Sequence, residues 1–184
     1  WSLCLMGDFA GVYYTFEVEV AGTVRETVDP YAKAAGINGR RAMVADLPAT
    51  DPPGWEQDPP VRLAQPTDAV IWEVHVKDFS WHPDSGMKYK GKYLAFTETD
   101  THVEGHPELK TGLAYLKELG VTHVHLLPVF DYLTVDEADE KSEQYNWGYD
   151  PLNYNVPEGS YSTDPYHGEV RVRELKQLVQ ALHM

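Results

Sequence analysis

Cysteine is nearly absent: Cys4 stands alone among 184 residues, which excludes an internal disulfide framework and any multi-cysteine metal site. Basic residues are scarce as well. Fifteen Lys and Arg face 29 Asp and Glu, a formal charge of -14 that repels phosphate backbones and anionic bilayers. That balance argues against nucleic acid and membrane partners and favours a neutral ligand. No apolar run approaches the ~18 residues of a membrane helix. The start at Trp1 has no charged stretch ahead of an apolar core, so no signal peptide is visible. Eight histidines are dispersed, none with the helical spacing of a zinc motif.

The patterning that is present changes twice along the chain. From Gly11 to Val20 the residues alternate, with Val12, Tyr14, Phe16, Val18 and Val20 on one parity, as in a half-buried antiparallel strand. Gly22 marks a turn into a strand over Thr23–Val28, and a third short strand is expected at Ala42–Leu47. Between Pro48 and Thr67 six prolines (Pro48, Pro52, Pro53, Pro59, Pro60, Pro66) crowd a polar linker, where Trp55 is expected to dock the linker on a neighbouring surface. Ala69–Val76 then reads as a strand buried on both faces, with Glu73 and His75 as buried polar groups of one parity that need partners and stabilise rather than catalyse.

A long irregular stretch, Trp81 to Gly105, reads as a covering loop. The spacing predicts a helix with Pro107 in its first turn, Leu109, Leu113, Leu116 and Leu119 on one stripe and Gly120 at its end. Val121–Val129 is a second strand, completing a βαβ unit. Asp131, Asp136, Glu137, Asp139, Glu140 and Glu143 follow as an expected solvated acidic loop, because their spacing matches no calcium loop. Past Gly168 a last helix sets Val172, Leu175, Leu178, Val179 and Leu182 opposite a polar face of Arg171, Arg173, Lys176 and Gln177.

Between the second strand and that helix lies Tyr145-Asn146-Trp147-Gly148-Tyr149-Asp150-Pro151, three rings, a carboxylate, an amide, a glycine and a proline in seven residues. Neither an amphipathic helix nor an alternating strand uses that mixture, and Gly148 with Pro151 specifies a shaped loop. Rings that meet sugar C–H faces, beside an amide and a carboxylate that hydrogen-bond hydroxyls, suit a glycan. On composition alone, rings that plug the core remain the alternative.

This motif, continued through Leu152-Asn153-Tyr154-Asn155-Val156-Pro157-Glu158-Gly159-Ser160-Tyr161-Ser162-Thr163-Asp164-Pro165, resembles the signature loop of type I pullulanases, α-1,6 debranching enzymes of the α-amylase family (glycoside hydrolase family 13). Val28–Arg40 resembles the last part of the carbohydrate-binding module 48 β-sandwich that precedes the barrel in such enzymes, and Ile71–Ser80 resembles their first barrel strand. The resemblance implies an α/β fold: the first quarter of a (β/α)8 TIM barrel (68–184) behind a Pro-rich linker (48–67) and the C-terminal part of an all-β sandwich (1–47).

It implies a retaining glycosidase acting on pullulan, amylopectin, glycogen and limit dextrins, whose Asp nucleophile and Glu acid/base lie on later barrel strands, beyond this sequence. Residue by residue, Tyr149 is carried over as the ring beneath the sugar at the cleavage site and Asp150 as its hydrogen-bonding partner. Trp147 and Asn146 are carried over as shapers of the loop. No catalytic residue and no metal ligand is assigned, no cofactor is expected, and calcium in the longer enzyme has no support in this sequence.

The expected partners are the α-glucan and the remainder of the enzyme chain, with a bacterial cytoplasmic or secreted location left open. An isoamylase-like or glycogen-debranching enzyme, a stand-alone glycan-binding protein and a purely structural piece stay as alternatives. Beyond Met184 a short turn and a third strand ending in Asp, then Asn-His, are expected. The isolated chain is expected to be poorly stable, with strand edges and faces uncovered.

Overall fold

The computed structural model describes residues 4–58, 61–139 and 144–184. The N-terminal part is β-structure in two separate pairs. Strand β1 (Tyr13–Tyr14) and β2 (Phe16–Val20) break at Thr15, where one long strand was expected. β2 pairs antiparallel with β3 (Thr23–Thr27) through a two-residue turn in which Ala21 (φ 51) and Gly22 (φ 78) are both left-handed, the backbone a tight hairpin demands. β1 pairs with β4 (Ala42–Met43), shorter than the strand predicted to Leu47. The apolar parity Phe16, Val18, Val20 is exposed, contrary to its pattern, because no second layer of the described chain lies over this hairpin.

The prolines do not form a free tether. Short 3-10 turns at Pro48–Thr50, Trp55–Gln57 and Pro66–Asp68 compact the segment, and the last helix holds it down. Lys176 donates from Nζ to the Leu47 carbonyl (2.9 Å) and to Thr50 Oγ1 (2.8 Å), pairs with Asp51, and lies over the Trp55 ring. Gln180 donates to the Pro53 carbonyl, and His183 meets Asp58. Pro59 and Pro60 fall outside the described residues.

β5 (Ile71–Val74) opens the second part and pairs in parallel with β8 (His123–Leu126), in the register Ile71 to His123 and Val74 to Leu126. Between them runs a small antiparallel pair, β6 (His102–Val103) with β7 (His106–Lys110), and then helix α1 (Gly112–Leu119). Pro107 and Leu109, expected on the helix, therefore sit in β7; Gly105 (φ 76) turns the chain into a hairpin, and the helix starts only at Gly112. Its end falls where the sequence places it, with Gly120 left-handed (φ 74) and its N–H returned to the Leu116 and Lys117 carbonyls.

The stretch read as a covering loop is half core. Its 3-10 turn Tyr93–Thr97 buries Ala95 and packs Tyr93 and Phe96 in one core with Val76, Tyr132, Val135, Tyr161 and Leu178. β9 (Phe130–Tyr132) and β10 (Pro151–Pro157) then pair antiparallel around the motif loop, and α2 (Gly168–His183) closes the chain. Helix α2 and β10 also reach the N-terminal part: Val156 packs with Ala32, Ala35 and Ala42, and Val172 with Ala34 and Met43.

Three burial expectations change. β5 is covered on one face only, its other side leaving Ile71 64% exposed and Glu73 in solvent beside His125 (3.2 Å), because two parallel strands alone cannot enclose an interior. Asp131 and Glu137 are buried rather than solvated; Asp136 and Asp139 are exposed, and Glu140 and Glu143 lie outside the described residues. Arg171, assigned to the polar face of α2, is fully buried, since that helix is packed from more than one side. The total accessible surface, 11828 Å², exceeds by roughly a third the ~8,900 Å² of a compact monomer of this mass, 20.8 kDa.

Candidate functional site

The motif loop leaves β9 and returns as β10, so both of its ends are tied to one antiparallel pair. Pro151 faces Tyr132 and Asn153 faces Asp131 across that pair. Within the loop Gly148 has φ 88, and a Cβ there would lie 2.3 Å from the Pro128 carbonyl oxygen; only glycine fits this approach. Asn146 braces the turn from inside. Its Oδ1 accepts the Gly148 N–H (2.7 Å) and its amide donates to Thr134 Oγ1, which also reaches Asp150 Oδ2 at 3.5 Å.

The end of β5 holds the other flank. His75 Nε2 contacts the Asn146 carbonyl at 2.8 Å, Lys77 Nζ donates to the Gln144 carbonyl at 2.9 Å, and the Tyr145 hydroxyl donates to Asp78 at 2.8 Å. The Tyr145 ring stacks on the His75 imidazole, centroids 4.5 Å apart. Partial burial and the bond to Asp78 push the Tyr145 hydroxyl up to about 12, so it donates throughout the neutral range.

With the backbone so restrained, Trp147 is 64% and Tyr149 67% exposed, and Asp150 is exposed beside them. Within the described residues these two rings lie at the surface. Of the two residues expected to shape the loop, Asn146 makes bracing contacts, whereas the Trp147 ring stands out in solvent. Among the described residues Gly148, Thr134, His75 and Asp78 join in holding the loop. Of these the sequence reading had singled out Gly148 for its backbone and His75 as a polar strand residue; nothing in a linear pattern marks Thr134 or Asp78.

Beneath the loop's base lies a buried charge network. The Arg171 guanidinium donates to Asp131 Oδ1 (2.8 Å), to both oxygens of Glu137 (3.2 and 2.9 Å) and to the carbonyls of Gly36, Pro157 and Pro165. Asn153 donates to Asp131 and to the Gly39 carbonyl, and Glu137 bonds the backbone N–H of Asn38 and Gly159. Glu158 accepts from the N–H of Tyr132 and of Ser160.

Asp131, Glu137 and Glu158 each place a carboxylate oxygen within 4.8 Å of the others, a grouping able to hold a cation. Arg171 already supplies the positive charge between Asp131 and Glu137. One guanidinium for three carboxylates leaves an excess of negative charge. Burial first, then the charges of Glu137 and Asp131, push Glu158 up to about 8; burial also lifts Asp131 to about 7 against the pull of Arg171 and Asn153.

The same arrangement of elements occurs in solved carbohydrate-active enzymes. The apo pullulanase of Paenibacillus barengoltzii superposes with a TM-score of 0.94 at 52% identity, covering 98% of this chain and 28% of that one. The pullulanase of the same organism in complex with maltohexaose and alpha-cyclodextrin superposes at 0.92 with 53% identity, over 96% of this chain and 27% of that one. In sequence the chain is 46% identical over 183 residues to the pullulanase of Bacillus subtilis (strain 168). The chain is homologous to one part of these pullulanases and carries the corresponding part of their fold. It spans 24% of the length of that Bacillus relative. No protein-family model matches it.

Proposed function

We propose that this chain belongs to a debranching glycoside hydrolase that cleaves α-1,6-glucosidic bonds in pullulan and branched α-glucans with retention, and that it supplies substrate-binding surface rather than the catalytic carboxylates. In this reading β5, α1, β8 and α2 are the first two β/α units of a (β/α)8 barrel, residues 1–47 are the end of the preceding sandwich and residues 48–67 join the two. The loop then leaves the C-terminal end of the second barrel strand, the face where barrels gather their active sites.

One observation carries the reading: Trp147, Tyr149 and Asp150 project together into solvent from a loop whose backbone is held on both flanks. Exposed rings on a restrained backbone lose little entropy when a sugar stacks on them. Tyr149 offers its face to the glucose at the cleavage site, Asp150 its carboxylate to that sugar's hydroxyls, and Trp147 a second face, with Asn146 keeping the turn. The test is hydrolysis by the full-length protein, following the release of reducing ends from pullulan and from glycogen and the anomeric form of the product. Hydrolysis of pullulan with retention, slowed about ten- to a hundredfold in Tyr149→Ala, is the expected result. Maltooligosaccharide affinity without hydrolysis of either polymer would make the protein a glycan binder instead.

A further inference from the structure

Tyr149 and Asp150 can meet a sugar reproducibly only if the peptide units before them are fixed, and a buried side chain just past the end of β5, His75, 4% exposed, grips those units. Its two nitrogens face unlike groups. Nδ1 receives the Lys77 backbone N–H at 3.2 Å, a group that can only donate, so Nδ1 carries a lone pair. Nε2 lies 2.8 Å from the Asn146 carbonyl, which can only accept, and 3.0 Å from the Tyr161 hydroxyl. A proton on Nε2 is shared between these two acceptors, mainly with the nearer Asn146 carbonyl, whereas a proton on Nδ1 would point at the Lys77 N–H. Tyr161 accepts from His75 and keeps its own proton, because burial, first, and the adjacent Tyr132 hydroxyl drive its ionisation far upward.

We propose that His75 is the positioning residue of the 144–150 loop, acting as a neutral imidazole with its proton on Nε2. The carbonyl it holds belongs to the peptide unit joining Asn146 to Trp147, and the Asn146 side chain passes that orientation to the Gly148 N–H at 2.7 Å, one residue before Tyr149. Rotation of this one peptide plane swings the Tyr149 ring and the Asp150 carboxylate together. The stacked Tyr145 ring and its bond to Asp78 cover one face of the imidazole.

The inference rests on the substrate-loop reading above, and its test separates the two. In the full-length protein, His75→Gln keeps an N–H donor where Nε2 stood, while His75→Asn keeps the amide but cannot reach Asn146. His75→Asn is expected to lower kcat on pullulan about ten- to a hundredfold with KM changed less, the scale of an ångström-sized misplacement, and His75→Gln to retain most of it at a similar melting temperature. Imidazole 15N spectra should show Nε2 protonated and Nδ1 bare. Equal losses in the two variants that track their melting temperatures, or a proton on Nδ1, would overturn the role of His75. A wild-type protein that hydrolyses no α-glucan would sink the enzymatic reading instead, while the 15N spectra still decide the His75 contact.

Discussion

Replacing Arg171 by Met tests the charge network most directly, because the unbranched stem is kept while two carboxylates and three carbonyls lose their donor at once. Removing one partner of a buried ion pair costs about 3–5 kcal/mol. Protonation sets the ceiling: a stranded carboxylate escapes by taking a proton, at about 1.4 kcal/mol for each pH unit above its unfolded pKa. The penalty should therefore be about 5 kcal/mol near pH 8 and about 2 kcal/mol near pH 5.

The sign in the wild type runs the same way. Glu158, raised from 4.5 to about 8, contributes stability that is fully present below about pH 4.5 and lost as pH rises through about 8. Arg171 and Glu158 interact through charge, so the difference between the two proteins reports the guanidinium together with its hold on the whole carboxylate cluster. Urea-induced loss of amide protection in α2, compared between wild type and variant at each pH, supplies the measurement. A penalty under about 1 kcal/mol at both pH values, or one larger in acid, would refute the claim that the buried guanidinium offsets the negative charge of this carboxylate cluster.

Tyr149→Ala should lower kcat on pullulan about ten- to a hundredfold while Tyr149→Phe, which keeps the ring face, is mild; a retained kcat with a lowered melting temperature would make the ring structural. Trp147→Ala should shift stability by no more than about 0.5 kcal/mol, since its ring is solvent-exposed, and should show instead as weaker maltooligosaccharide binding by calorimetry. Gly148→Ala meets both a left-handed backbone and the Pro128 carbonyl, so a cost of about 1–3 kcal/mol is expected in thermal melts, together with lost activity. The isolated 184-residue chain, with its excess of surface and its bare β2–β3 and β5–β8 faces, should bind a hydrophobic dye and aggregate; a sharp cooperative melt of a monomer would contradict this.

Local signals in the sequence were legible where a short-range rule decides the outcome. The Ala21-Gly22 turn, the Gly120 helix end, the parallel pairing around α1 and the irregular path of Tyr145–Asp150 all follow from turn chemistry and periodicity. Burial was less legible, because it depends on what lies across the gap. Leu109 fits a helical stripe yet sits in β7, where Gly105 turns the chain back on itself. Arg171 fits a polar face, yet α2 is packed from several sides and its guanidinium finds Asp131 and Glu137, 40 and 34 residues away. At the candidate site the motif named the residues that project and the strand pattern marked His75 as a buried polar group, while Thr134, Asp78 and the partner that His75 finds are set by tertiary proximity.

The clamp that α2 places on the proline-rich segment has a practical consequence for anyone recombining such proteins. A chimera that exchanges the N-terminal β-structure at the proline-rich stretch, the obvious seam by composition, leaves a foreign partner beneath Lys176, Gln180 and His183. It also removes the Ala32–Met43 surface on which Val156 and Val172 pack and the Asn38 contacts to Glu137. A crossover in the exposed turn at Ala21-Gly22 spares all of these, so the productive splice lies inside the β-hairpin rather than at the prolines.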